Sequence, residues 1–96
     1  MLVSRKIKVG KKNILAVLVK LASKNLIVLR GSRGYVMCGY LNLAAANKFG
    51  DVAVVVTGAS SISQALKVRV HSVSTQARKI GIKKGDLIKD VLKIIA

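Results

Sequence analysis

Residues 34–56 read GYVMCGYLNLAAANKFGDVAVVV, and a strand, a helix and a second strand follow one another within them. The apolar run 35–40 has the composition of a strand. Asn42 is a good helix N-cap, because its side-chain oxygen can accept a backbone N–H that the first turn leaves unpaired. The helix LAAANKF follows, and Gly50 ends it. VAVVV, 52–56, is β-branched at four of five positions and is the most buried-looking strand in the chain.

Upstream of this unit the pattern changes to strands alone. Residues 2–9 alternate, with Val3, Ile7 and Val9 on one side and Ser4, Lys6 and Lys8 on the other, the period of a half-exposed strand. Gly10-Lys11-Lys12-Asn13 reads as a hairpin turn. ILAVLVKL, 14–21, is apolar on both faces, which predicts cover on both sides, from the chain's own helices or from another subunit. Ser23-Lys24-Asn25 turns the chain into LIVLR, 26–30, and Gly31-Ser32-Arg33-Gly34 turns it again. The first forty residues are therefore a β-meander.

Downstream, Gly58 opens a turn, Ser60 or Ser61 caps a helix running through Leu66, and VRVHSV, 68–73, alternates as a strand does. Ser74 caps STQARKI with Gly81 at its C′ position, and Asp86 is the expected cap of LIKDVLKII. The reading is an α+β fold, an N-terminal β-meander followed by alternating helices and strands, in a single compact domain over residues 1–96.

Ninety-six residues with 52% hydrophobic side chains fold as one domain, and nothing in the composition resembles a disordered tail. A chain of this length buries only roughly 60% of its unfolded surface, so this much apolar sequence predicts a homo-oligomer. Eighteen Lys and Arg stand against three Asp and Glu, a net charge of +15, and a field of that sign attracts polyanions. Nine of the basic groups lie in residues 1–33, which carry no acid, making that region both the basic and the expected oligomerisation part. One cysteine and one histidine are too few for a zinc site in one chain, so neither metal nor cofactor is expected. The uncharged runs 34–47 and 52–66 fall short of the roughly 20 residues that span a bilayer. A lone free thiol fits a reducing cytoplasm, so the expectation is a cytoplasmic protein with no membrane partner.

Three motifs invite a functional reading. VVVTGASSISQAL is similar to the strand-turn-helix that holds a dinucleotide pyrophosphate, but Ile62 and Gln64 stand where that site needs glycine; a glycine turn and a serine cap account for it, with an exposed helix N-terminus that could hold a small anion. Cys38 and His71 are the candidate catalytic pair, a nucleophile and its base, yet no carboxylate suggests itself to orient the histidine. A cysteine among apolar neighbours is more often a packing residue, and that reading is preferred. Lys6, Lys8, Lys11, Lys12, Lys24, Arg30 and Arg33 are the polyanion-binding candidates, with Arg78, Lys79, Lys83 and Lys84 a second group. Only Tyr35, Tyr40 and Phe49 are aromatic, too few for an extensive base-stacking platform.

Taken together, G-Y-V-M-C-G-Y-L-N at 34–42, V-T-G at 56–58 and V-x-S-V-S-x-x-A-x-x-I-G-I-x-x-G at 70–85, with a closing helix, resemble the YunC-like family of small bacterial and archaeal proteins, a domain of unknown function. The resemblance covers roughly residues 25–96 and makes 34–96 the family core. It implies an α+β fold whose N-terminal β-region joins subunits into a tetramer, and it implies no activity. Gly34, Cys38, Gly39 and Asn42 occupy the signature, and Gly58, Ser74, Ala77, Gly81 and Gly85 match its second half. After Gly85 relatives tend to continue with another glycine-containing turn, where this chain has Asp86-Leu87-Ile88. The sequence thus leads to a small, basic, homo-oligomeric protein of unknown biochemical role. Sequence-independent nucleic-acid binding and an enzyme using Cys38 are the alternatives.

Overall fold

A computed structural model describes residues 2–22, 24–38 and 42–96. Its frame is one six-stranded sheet in the order β1-β2-β3-β4-β5-β6. Strands β1 (Leu2–Val9), β2 (Lys12–Lys20), β3 (Asn25–Arg30) and β4 (Tyr35–Cys38) form the antiparallel meander that the turn residues predict. Helix α1 (Leu43–Phe49) then carries the chain to β5 (Ala53–Val56), which lies parallel to β4. The remaining elements are α2 (Ile62–Ala65), β6 (Ser72–Val73) antiparallel to β5, α3 (Thr75–Lys79) and α4 (Ile88–Ile95).

Alternation along the strands sorts the side chains onto two faces. On the first face Ile14, Ala16 and Leu18 of β2, Ile27 and Leu29 of β3, Val36 and Cys38 of β4, and Val54 and Val56 of β5 form the main core. It is closed by Ile62 and Ala65 of α2, Ala77 of α3, Ile82, and Ile88, Val91, Leu92 and Ile95 of α4. Helix α4 places its buried residues at 88, 91, 92 and 95, a single stripe at helical spacing.

Among the described residues the second face is covered only over β4 and β5, where Ala46 and Leu43 of α1 pack on Met37, Ala53 and Val55. All four residues of β5 are consequently buried. Over β1–β3 the second face carries Leu2, Leu15, Val17, Val19, Leu26 and Val28, placed side by side by the register. None of these six is fully buried, and Leu15 and Leu2 are 37% and 66% exposed. Of the two sources of cover that the doubly apolar strand β2 calls for, the chain's own helices supply only one face.

Two local readings are corrected. Asp86 does not cap α4: the N-cap is Leu87 and no side chain bonds the first turn. The Asp86 carboxylate instead accepts the Lys83 N–H at 2.8 Å within the preceding turn. The strand expected at 68–73 shortens to 72–73, because Val68 and Val70 exchange backbone hydrogen bonds with residues 85–88 rather than with β5. Residues 39 and 40 of the expected fourth strand lie outside the described residues, as does Ser23.

Gly34 sits where β4 begins beside β5. A Cβ there would lie 2.6 Å from the Val52 carbonyl oxygen and 2.7 Å from its Cγ1, closer than any carbon can settle without moving backbone. Gly34→Ala is therefore expected to destabilise the fold by about 1–3 kcal/mol, read as a lowered thermal midpoint.

Candidate functional site

Cys38 ends β4 on the first face and is 7% exposed, within the main core. Its Sγ accepts the Ile27 N–H at 3.4 Å. His71 is exposed, its backbone N–H donates to the Val55 carbonyl at 2.8 Å, and its ring Nδ1 lies 3.4 Å from the Ser72 hydroxyl. Because Cys38 pairs with Val56 and the β5–β6 register continues to His71, Val56 stands between the two. Two strand spacings, roughly 9–10 Å, separate their backbones, beyond hydrogen-bond reach. The structure does not bring the candidate nucleophile and base together. Among the described residues no group of three or more His, Cys, Asp or Glu is placed to hold a metal ion.

The candidate anion site at Ser60–Ser61 is filled by the chain itself. Ser61 Oγ accepts the Gln64 N–H at 3.1 Å, and Gln64 Oε1 accepts both the Ser60 N–H and the Ser60 hydroxyl at 2.8 Å. Helix α2 is four residues long, and these side chains take the Gln64 and Ser60 N–H groups that an anion at this turn would compete for.

The basic candidates are divided by the sheet. Lys6 and Lys8 of β1 and Arg30 of β3 share the second face, with Lys6, Leu15, Arg30 and Tyr35 in one row across four strands. Lys11 is in the hairpin turn, and Lys12 points to the first-face side, where its Nζ donates to the Ala96 carbonyl at 3.4 Å. Arg33 lies in the β3–β4 turn, with its backbone N–H on the Ile95 carbonyl at 2.8 Å. Arg78 and Lys79 close α3, and Lys83 and Lys84 follow in the next turn.

Between α1 and the uncovered sheet lies a groove of about 460 Å³ that no local pattern in the sequence announces. Val28 and Met37 form its sheet side, and Ala45, Ala46 and Phe49 its helix side, with Asn42 at the helix start. Its polar side is Arg30, Tyr35 and Asp51. Arg30 and Tyr35 are cross-strand partners, and the Tyr35 hydroxyl donates to Asp51 Oδ2 at 2.9 Å. Partial burial, followed by the Asp51 hydrogen bond and charge, holds the Tyr35 phenol above its usual value of 10.0. Phe49 is 76% exposed on the rim.

The remaining signature residues hold the fold. Asn42 Oδ1 accepts the Ala44 N–H at 2.8 Å and starts α1. Gly58, Gly81 and Gly85 all have positive φ in turns. Ser74, fully buried, bonds three segments: its Oγ accepts from Ala53 N at 2.9 Å and Ala77 N at 3.2 Å and donates to the Asp51 carbonyl at 2.8 Å. Gly39 lies outside the described residues.

A short mixed sheet carrying these turns and caps defines a small α+β family, and the comparisons with known proteins agree. The chain belongs to the family described as Domain of unknown function (DUF1805), whose model matches residues 37–95. It is 38% identical over 74 residues to the Uncharacterized protein YunC of Bacillus subtilis (strain 168), covering 73% of each chain. It also matches the crystal structure of TA1206, a protein of unknown function from Thermoplasma acidophilum, with a TM-score of 0.96 at 35% identity over the whole of this chain and 94% of that one.

Two outcomes are expected here. Ser74→Ala, which leaves the Ala53 N–H without its acceptor and α3 without its cap, lowers stability by about 2–3 kcal/mol in denaturant unfolding. The raised Tyr35 value means that its contribution to stability is full below pH 10 and lost as pH rises through the folded-state value. Tyr35→Phe should therefore flatten the alkaline fall in unfolding free energy.

Proposed function

We propose that this chain is a subunit of a homo-oligomer, with a tetramer favoured, assembled through the second face of β1–β3. The observation that carries this reading is the uncovered apolar surface made by Leu2, Leu15, Val17, Val19 and Val28. Leu2 of β1, Leu15, Val17 and Val19 of β2 and Val28 of β3 lie side by side on strands about 4.8 Å apart, with Ser4, Lys6 and Arg30 in the same rows, and the exposed Phe49 of α1 lies beyond them. Apolar patches larger than a few hundred Å² mark interaction sites, and burial of this face against a second copy would give β2 the cover that its sequence calls for. The charged edge strand β1, with Arg5, Lys6 and Lys8, opposes edge-to-edge pairing, so face-to-face packing is the route this surface favours. The lone cysteine suits a subunit working in the reducing cytoplasm, with Cys38 a packing residue.

A second reading, sequence-independent nucleic-acid binding, is favoured by the grouping of Lys6, Lys8 and Arg30 on one face within a chain of net charge +15. The enzyme reading would need a base other than His71 to reach Cys38.

The assembly is tested at Val17, which lies on the uncovered face between Ser4 and Val28. Light scattering across micromolar concentrations should give a multiple of the 10.2 kDa chain mass. Val17→Lys should shift it toward that mass, since burying an unpaired ammonium costs several kcal/mol. A monomer throughout, or an unchanged mass in the variant, would remove this interface. For the second reading, binding of a labelled oligonucleotide should weaken by a factor of roughly 40 between about 50 and 200 mM salt if three phosphates are neutralised. No binding at the lower salt would sink it.

A further inference from the structure

The geometry points to the groove between α1 and β3–β4 as a binding site for a small zwitterion with an apolar substituent, the chemistry of an apolar α-amino acid. The groove complements such a ligand in charge and shape. The groove carries a single guanidinium, from Arg30, and a single carboxylate, from Asp51. Tyr35 lies between them, paired with Arg30 across the strands and hydrogen-bonded to Asp51. That bond engages Asp51 Oδ2; among the described residues Oδ1 takes no hydrogen bond and would accept from an ammonium, while the planar guanidinium fork suits a ligand carboxylate.

Apart from Asn42 at the helix start, the rest of the groove is apolar. Met37 and Val28 on the sheet and Ala45 and Phe49 on the helix offer no charged partner to a ligand, and the volume of about 460 Å³ is within the range of small-molecule sites. A bare carboxylate would meet the Asp51 charge and a bare amine would meet Arg30. A net-neutral ligand with both charges on adjacent carbons meets neither penalty. Phosphorylated ligands are disfavoured for the same reason, since one guanidinium beside a carboxylate is a poor match for a dianion.

The test is methyl and amide NMR of the full chain titrated with leucine, with isocaproate, which lacks the amine, and with isoamylamine, which lacks the carboxylate. Leucine should produce saturable shifts at the Met37, Ala45 and Ala46 methyls. Each truncated analogue should bind roughly tenfold more weakly or worse, the loss expected for one charge-assisted hydrogen bond. Arg30→Gln and Asp51→Asn should each weaken leucine by a similar factor while leaving the remaining amide spectrum folded. Because Val28 and Phe49 belong both to this groove and to the surface proposed for assembly, the titration is repeated in Val17→Lys; leucine shifts in either background support the site. No shift in either background, isocaproate or isoamylamine binding as tightly as leucine, or unchanged affinity in both charge variants would overturn it.

Discussion

One sheet in this molecule has two apolar faces, and the chain carries helices for one face and part of the other. On the first face α2, α3 and α4 bring Ile62, Ala77, Val91 and Ile95 down onto β2–β5 and exclude water. On the second, α1 is seven residues long and reaches only Met37, Ala53 and Val55. The strands beyond it, β3 to β1, keep side chains such as Val17, Val19 and Val28 that a permanently wetted surface would not need. The groove beside α1 exists for the same reason: the helix covers the sheet up to Met37 and stops.

Within that frame the residues that most invite a catalytic reading are occupied with structure. Cys38 Sγ takes the Ile27 N–H inside the core, and Ser74 holds the start of β5, the loop at Asp51 and the start of α3 with one hydroxyl. Asn47 adds a further tie, its Oδ1 accepting the Thr75 N–H at 2.8 Å and locking α1 to α3. The described signature residues are caps, turns, close contacts and core groups. Membership of the family, described as a domain of unknown function, carries the architecture and names no reaction.

What could be read from the sequence was what depends on near neighbours. The caps at Asn42, Ser61 and Ser74 are legible because donor and acceptor lie within three residues, and the meander is legible because its turns are short and its strands alternate. Asp86 misled because its carboxylate had a nearer donor in Lys83. Alternation over 68–73 does not say whether the partner is β5 or the 85–88 turn, and residues 68 and 70 pair with the latter. The groove was out of reach: Val28, Met37, Ala45 and Asp51 come from separate segments of the chain, and the Tyr35–Asp51 bond spans sixteen residues. Arg30, taken from the sequence as one of several phosphate ligands, acquires a distinct neighbourhood only once Tyr35 lies beside it.

The central claim is that the second face of β1–β3 is covered in solution. Methyl NMR with a soluble paramagnetic agent reads that cover directly, side chain by side chain. The account predicts that the Val17, Val19, Leu26 and Val28 methyls of the native protein are shielded nearly as well as those of Val54 and Val56 in the core, and become accessible in a dissociated variant. Methyls on that face relaxing as fast as those of a fully solvated side chain, at concentrations where the protein is otherwise intact, would contradict it.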